Sequence, residues 1–196
     1  LDTTVTNLTA TNTGAGAINL NEADDANVLN VAASDGDATV TSGTGSLAVT
    51  TLTATGGTAT LTAANGAITD ANAATNNVTA TSLVANAATG IDLDTTVTDL
   101  TAVNTGAGNV ILNEANGANV LNVSATTGDA TVTTTAGSLS VTTVTASGTA
   151  TLTAGVGAIT DANGVLTNVT ATSLVAGAAT GIDLDTAVTN LTATNS

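Results

Sequence analysis

Apolar and polar residues alternate along most of this chain, in short stretches separated by Gly, Asn or Asp. Leu47, Val49 and Leu52, for example, fall on one side of the alternating pattern, and the Thr residues between them fall mostly on the other. A period of two is typical of β-strands that bury one face, and Gly, Asn and Asp favour turns. The pattern therefore predicts an all-β protein made of many short strands.

The strand pattern itself repeats after about 92 residues. The segment LDTTVTNLTA at 1–10 returns, with one substitution each time, at 93–102 and at 184–193. We expect one continuous structure rather than separate domains, and we infer that the chain was taken from a longer array of repeats. The boundaries are 1–92 for repeat 1, 93–183 for repeat 2 and 184–196 for the start of repeat 3.

Each repeat divides into four smaller units with similar patterns. In the first period these units are 27–45, 46–66, 67–90 and 91–118, and each contains short alternating strands and turns. About 23 residues per unit suits one coil of a parallel β-helix, whose coils stack roughly 4.8 Å apart. The sequence therefore predicts a β-solenoid with about four coils, or roughly 19 Å, per repeat.

A tandem of β-sandwich domains is the alternative fold, because 92 residues is a natural length for such a domain. The chain lacks Trp, Tyr and Pro, and its smaller units resemble one another. Both observations favour the β-helix, whose core of Val, Leu, Ile and Ala would be narrow.

The composition excludes several classes of function. The chain has no Lys, Arg, His, Cys, Met, Pro or aromatic residue, and its formal net charge is −15. It therefore cannot supply a His or Lys general base, a Ser–His or Cys nucleophile, or a His/Cys zinc site. We expect no enzymatic activity, no cofactor and no nucleic-acid partner, because phosphates would be repelled. No run of 18 apolar residues indicates a membrane span.

The same absences favour an extracellular or cell-surface location. Trypsin finds no Lys or Arg to cleave after, and oxidants find neither Cys nor Met. Stability must then come from stacked backbone hydrogen bonds and an aliphatic core. These are the properties of an extracellular fibre or matrix.

Three segments resemble the repeat region of filamentous-haemagglutinin-like proteins, which are very large surface or secreted proteins of bacteria. The segments are TGAGNVILNEA (105–115), GAITDANG (157–164) and NVTATSLVAGAATGIDLDTAVTNLTA (168–193). The resemblance covers essentially the whole chain and implies a right-handed β-helical shaft, export across the outer membrane, and a role in adhesion or matrix building. It carries over no functional residue, because the repeat region of such proteins is a shaft.

The leading interpretation is therefore a structural, non-catalytic shaft of an extracellular filament or giant adhesin. An uncapped β-helix exposes backbone donors and acceptors at its end, and these recruit another strand. We expect the shaft to be extended by coil-on-coil stacking, so that the main partner is the chain itself, either covalently continuous or stacked head to tail. Host or surface glycans are candidate partners.

A Thr-x-Thr pattern suggests an alternative function, the binding of ice or carbohydrate by a flat threonine face. The pattern recurs about once per predicted coil, which would place its threonines on one face. The predicted face consists of Thr39, Thr41, Thr58, Thr60, Thr79, Thr81, Thr131, Thr133, Thr149, Thr151, Thr170 and Thr172.

A second alternative is a calcium-dependent surface-layer or adhesin repeat. Calcium prefers several carboxylate and carbonyl oxygens, and the densest acidic groups contain Asp24, Asp25, Asp35 and Asp37. In repeat 2 three of these acids are replaced by Asn, Gly and Thr. We therefore expect solvated acids that keep the fibre soluble, with calcium as the weaker interpretation.

Overall fold

A computed structural model confirms the prediction of an all-β solenoid. The chain forms about nine turns of parallel strands, and the described residues contain no helix and no antiparallel pair. The structure describes residues 1–73 and 75–196, and for residues 28 and 120 it describes the backbone alone. Parallel pairing throughout rules out the sandwich alternative, whose sheets are antiparallel. The right hand implied by the resemblance stays a prediction.

The described strands are short, as the alternation predicts. They are β1 (Asp2–Thr3), β2 (Asn7–Ala15), β3 (Ile18–Glu22), β4 (Ala26–Asp35), β5 (Ala38–Ser42), β6 (Leu47–Ala63), β7 (Ile68–Asp70), β8 (Val78–Ala87), β9 (Ile91–Thr96), β10 (Asp99–Ala107), β11 (Val110–Glu114), β12 (Ala118–Thr127), β13 (Ala130–Thr134), β14 (Leu139–Ala146), β15 (Thr149–Ala154), β16 (Ile159–Asp161), β17 (Val169–Ala178) and β18 (Thr186–Asn195).

Each turn contributes one strand segment to each of two ladders. Ladder A runs through β2, β4, the start of β6, β7 with the start of β8, β9, β11, β13, β15, and the ends of β17 and β18. Ladder B runs through β1, β3, β5, the ends of β6 and β8, β10, β12, β14, β16, and the starts of β17 and β18. Successive strand segments thus alternate between the two ladders, except that β7 and the start of β8 share ladder A and β16 and the start of β17 share ladder B.

The inward residues of both ladders pack into one hydrophobic cluster. Leu52 of ladder A and Leu61 of ladder B, for example, are both fully buried in it. Since both ladders turn their apolar residues toward the same core, their outward residues lie on opposite sides of the solenoid. Burying one such Leu contributes roughly 1.5–3 kcal/mol.

The length of a turn varies along the chain, as the unequal lengths of the units in the sequence suggest. Leu100 pairs with Leu83 in the turn before it and with Leu121 in the turn after it, so the second of these turns is longer than the first. The longest step pairs Leu52 with Val78, because a loop is inserted between β7 and β8. The turn length expected from the sequence lies between these extremes.

One repeat advances four and a half turns rather than the predicted four. Leu8 of repeat 1 pairs with Leu29 on ladder A, whereas its equivalent in repeat 2, Leu100, pairs with Leu121 on ladder B. The reason is the unit 91–118, which was counted as one coil but contains the three strand segments β9, β10 and β11. Nine segments per repeat is an odd number, so equivalent residues of successive repeats lie on opposite sides.

Candidate functional surfaces

The predicted threonine face begins as a small patch on ladder B. Thr39 pairs with Thr60, and Thr41 pairs with Thr62, so these four side chains form a two-by-two array that we call patch B. The turn here is longer than the spacing of the motif suggested, so Thr39 lies opposite Thr60 and not opposite Thr58. All four are outward and half-buried, between fully buried core residues.

The equivalent threonines of repeat 2 form a second array, patch A, on the other side of the solenoid. Thr131 pairs with Thr151 and Thr133 with Thr153, all on ladder A. The threonines of the two repeats therefore do not form one array, because the half turn per repeat places equivalent residues on different ladders. The other predicted threonines, which lie outside both patches, are Thr58, Thr79, Thr81, Thr149, Thr170 and Thr172.

The four aspartates considered for calcium lie at two opposite edges of the solenoid. Asp24 and Asp25 are in the turn that leads from ladder B to ladder A, whereas Asp35 and Asp37 flank the turn that leads back. The Asp25 carboxylate accepts a hydrogen bond from the N–H of the residue one turn later, at 2.6 Å, and Asp37 does the same at 2.8 Å. These acids therefore join successive turns, and in residues 1–73 and 75–196 no group of three acidic side chains is placed to hold a metal ion.

Recurring acids form a cluster that changes sides from one repeat to the next. On ladder A, Asp70, Asp92 and Asp94 are close enough that burial, reinforced by the charges of the other two, raises the pKa of Asp92. Their equivalents Asp161, Asp183 and Asp185 belong to the other side, because β16 pairs on ladder B. We call the two groups acidic cluster A and acidic cluster B. A solenoid of this kind thus carries concentrated negative charge on alternate sides.

A buried glutamate joins two successive turns in each repeat. The Glu114 side chain is 0% exposed, and it accepts hydrogen bonds from the Thr95 hydroxyl at 2.6 Å and the Val97 N–H at 3.2 Å in the preceding turn. It also accepts one from the Asn116 N–H at 3.1 Å. Burial raises the pKa of Glu114 although these donors oppose the shift. The carboxylate thus holds the bend between β9 and β10 in place.

Glu22 makes the equivalent bonds in repeat 1, with the Thr3 hydroxyl at 2.5 Å and the Val5 N–H at 3.0 Å. Burial raises its pKa, but these hydrogen bonds outweigh it, so the pKa of Glu22 is lowered overall. The difference from Glu114 follows from position, since only the two-residue strand β1 lies beyond β3 on that side. Fewer protein atoms therefore surround Glu22, although only 2% of its surface is exposed.

A buried asparagine links three successive turns. The Asn168 amide donates to the Val141 carbonyl at 2.9 Å and to the Asp161 carboxylate at 2.9 Å, while its oxygen accepts the Asp185 N–H at 2.8 Å. Asn77 repeats the arrangement in repeat 1. The bond from Asn168 and the N–H of Asn163 lower the pKa of Asp161. This network fixes both ends of the loop inserted between β16 and β17.

That loop, residues 162–168, carries two exposed apolar side chains, and we call it the finger. Val165 is 97% exposed and Leu166 is 64% exposed, although few other large apolar residues of the described chain face solvent. β16 and the start of β17 both pair with β14, so the finger projects from ladder B. The finger was not predicted from the sequence. The sequence feature that could have indicated the finger is the pair Val165-Leu166, at positions where repeat 1 has Ala-Thr (74 and 75).

The chemistry available at these surfaces is limited to carboxylates, hydroxyls and amides. A shallow hollow of about 300 Å³ beside acidic cluster A is lined by Asn76, Asp94, Asn113, Glu114, Ala115 and Thr135. No helix among the described residues is long and apolar enough to cross a membrane. Comparisons with protein families, with curated proteins and with solved structures found no match.

Proposed function

We propose that this chain is a segment of the shaft of an extracellular filament or giant adhesin. The shaft is mechanical and non-catalytic, and it grows by the stacking of one solenoid turn on the next. Further turns of the same pattern are its main partner, whether they are covalently continuous or belong to another copy. The resemblance to filamentous-haemagglutinin-like repeats is consistent with a bacterial surface protein of this kind.

One observation carries the proposal: the last turn repeats a sequence that an interior turn already buries. Residues 190–195 have the sequence NLTATN, which is identical to residues 7–12. Leu191 in the last turn is 58% exposed, whereas its equivalent Leu100, which the next turn covers, is 0% exposed. A further turn placed on β18 as β4 is placed on β2, on the same ladder, would cover the same sequence, in which Leu8 is only 5% exposed. The pattern can therefore be extended without any new type of contact.

Composition supports an exposed, long-lived structure. Every charged side chain is acidic, so the shaft stays soluble, and trypsin-like proteases find no Lys or Arg. The described part of the chain is held by backbone hydrogen bonds between turns and by a single aliphatic core. A structure of this type is nearly one-dimensional, and its length grows in proportion to the number of repeats.

Electron microscopy of arrays with one, two and three copies of residues 1–183 tests the shaft directly. Nine turns per copy predict rods of constant width that lengthen by about 43 Å for each added copy. Separate beads, or particles that widen instead of lengthening, would refute the proposal. Antibody labelling of intact cells of the source organism tests the location, since a surface shaft is labelled without permeabilisation.

The two alternative functions predict different results. Ice binding by the threonine patches predicts thermal hysteresis, which Thr60→Leu in patch B would reduce. A calcium-dependent repeat predicts a large drop in melting temperature after addition of a chelator. The shaft predicts neither effect, because its patches are four threonines each and, of the acids considered for calcium, Asp25 and Asp37 are each engaged in a bond between turns.

A further inference from the structure

Ladder B carries an outward surface without charge that is two residues wide and seven turns long. We call it the stripe. Its first row is Asn19, Thr39, Thr60, Val84, Thr101, Asn122 and Thr143, and its second row is Asn21, Thr41, Thr62, Asn86, Val103, Ser124 and Thr145. Six spacings between turns make it about 29 Å long. Patch B lies within it, and the finger stands at its upper end, next to Thr143.

The stripe is longer than the uncharged outward surface of ladder A above acidic cluster A, which spans five turns from Ile111 and Asn113 to Thr192 and Thr194. All charged side chains are acidic, so two copies repel each other over most of their surfaces. On ladder A the outward rows are interrupted in the middle of the chain by acidic cluster A. On ladder B the corresponding acids are Asp161 at the base of the finger, and Asp183 and Asp185 in the following turn, all outside the two rows of the stripe. Asp37 and Asp99 flank one margin, and Asp2 lies at the lower end of the second row, where it accepts a hydrogen bond from the Asn21 amide at 2.9 Å. Physiological salt screens these charges beyond roughly 8 Å.

We propose that the stripe and the finger form a side-by-side contact with a second copy of this chain. Threonine hydroxyls and asparagine amides both donate and accept hydrogen bonds, so the surface is complementary to itself. The threonines of patch B form no hydrogen bond within the part of the chain that the structure describes. Such a contact would bury the nearly fully exposed Val165 and the neighbouring Leu166 away from solvent.

An antiparallel arrangement fits the charges best. It places the acidic clusters B of the two copies at opposite ends of the contact, whereas a parallel arrangement would set them side by side. Each finger then reaches the stripe of its partner. The contact is two-fold and closed, so it gives a dimer.

The contact area indicates a weak pair. A stripe about 29 Å long and roughly 10–14 Å wide covers about 300–400 Å² per copy, less than the roughly 800 Å² of a standard interface. The proposal goes beyond the shaft and does not depend on stacking at the ends. In a longer array the half turn per repeat would place stripes on both sides, so weak contacts would add up between neighbouring rods.

Sedimentation equilibrium of residues 1–196 tests the proposal in 0.15 M and 1 M NaCl. A closed monomer–dimer equilibrium that strengthens with salt is expected, because salt screens the acidic surfaces. Leu166→Asp should raise the dimer dissociation constant by at least about 100-fold, since the change occurs twice in a two-fold dimer. Val165→Ala with Leu166→Thr, the residues that repeat 1 has there, should raise it by roughly tenfold.

Matched controls separate the stripe from a general effect of charge. Thr62→Asp lies in the stripe and should weaken the dimer, whereas Thr153→Asp, the equivalent change in patch A on the other side, should not. Val156→Asp alters an exposed apolar residue outside the finger, which is 61% exposed, and should also leave the dimer intact. A chain that stays monomeric in 1 M NaCl, or equal effects of Thr62→Asp and Thr153→Asp, would overturn the proposal. Open-ended oligomers insensitive to Leu166→Asp would indicate stacking at the ends and would also overturn it.

Discussion

Replacing the buried Glu114 by Ala tests how the solenoid holds its bends. The substitution removes the acceptor of the Thr95 hydroxyl and the Val97 N–H, both of which are buried, and leaves them without a partner. An unsatisfied buried donor costs about 1–3 kcal/mol, so we expect Glu114→Ala to lower the free energy of unfolding by about 2–5 kcal/mol. The Asn116 N–H is exposed and can bind water instead, so its lost bond adds little to this destabilisation.

Glu114→Gln provides the comparison, because the amide keeps the shape and one accepting oxygen. We expect a loss of about 1 kcal/mol, since one carboxylate oxygen becomes an NH₂ group. The chain has no Trp or Tyr, so unfolding in urea has to be followed by circular dichroism rather than by fluorescence. Hydrogen exchange of the Val97 amide gives a local measurement that does not depend on two-state unfolding.

Glu22→Ala is the matched control in repeat 1. Val5 there is 40% exposed and can bind water when the carboxylate is removed, so we expect a smaller loss, about 1–2 kcal/mol. An unchanged urea midpoint and Val97 exchange rate in Glu114→Ala would show that the carboxylate does not hold the bend. The same conclusion would follow if Glu114→Gln were as damaging as Glu114→Ala.

Three further predictions concern pH, backbone strain and the asparagine network. The pKa of Glu114 is raised above its ordinary value of 4.5, so the stability that Glu114 contributes is complete below pH 4.5 and is lost as pH rises through the folded pKa. In a pH series of urea midpoints, Glu114→Gln should abolish this loss of stability at higher pH. The pKa of Glu22 is lowered, so its contribution is present above pH 4.5 and is lost as pH falls, and Glu22→Gln should remove a loss on the acid side instead. Gly164 has φ +72° and no atom within 4 Å of the position that a methyl group would occupy, so Gly164→Ala should cost about 1 kcal/mol from backbone strain alone. The reverse change Ala73→Gly, at φ +62°, should stabilise the chain by about 0.5 kcal/mol. Equal urea midpoints for the two variants would contradict both expectations. Asn168→Ala leaves the Asp185 N–H without its acceptor, whereas the Val141 carbonyl still accepts the Ala162 N–H, so the change should cost about 1–2 kcal/mol, with faster exchange of the Asp185 N–H; unchanged exchange would show that the network does not hold the turns.

The solenoid was predictable because its signals are local and repeated. Strict alternation over β5 and β13, with buried residues at every second position, is the period of a strand that buries one face. The 92-residue repeat and the similar smaller units then required each strand to lie beside an equivalent one. Residues such as Leu47 and Leu52 are buried as their spacing predicted.

The number of turns per repeat was not predictable from unit lengths, because it depends on which segments pair. The unit 91–118 resembles the others in pattern but contains three strand segments, two of which are joined by the short bend that Glu114 holds. That half turn moved patch A away from patch B. A glutamate among apolar and small residues was the available signal, since a buried acid requires donors from a neighbouring segment.

The finger and the acidic clusters show a second limit of sequence reasoning. Val165 and Leu166 could have been assigned to the core, and only the structure shows that they stand outside it. The approach of Asp70 to Asp92 depends on the loop between β7 and β8, which no local pattern indicates. Side-by-side placement across turns of unequal length is a property of the pairing and not of the local pattern.

The distance between spin labels at Thr62 and Thr153 tests the half turn per repeat most directly. The chain has no Cys, so Thr62→Cys with Thr153→Cys directs both labels, and Thr62→Cys with Thr145→Cys provides a pair on one side, four turns or about 19 Å apart. Because Thr153 lies four and a half turns away and across the core, the account predicts that the first pair is at least about 8 Å farther apart than the second. Equal distances for the two pairs would place equivalent residues on the same side and would contradict the account.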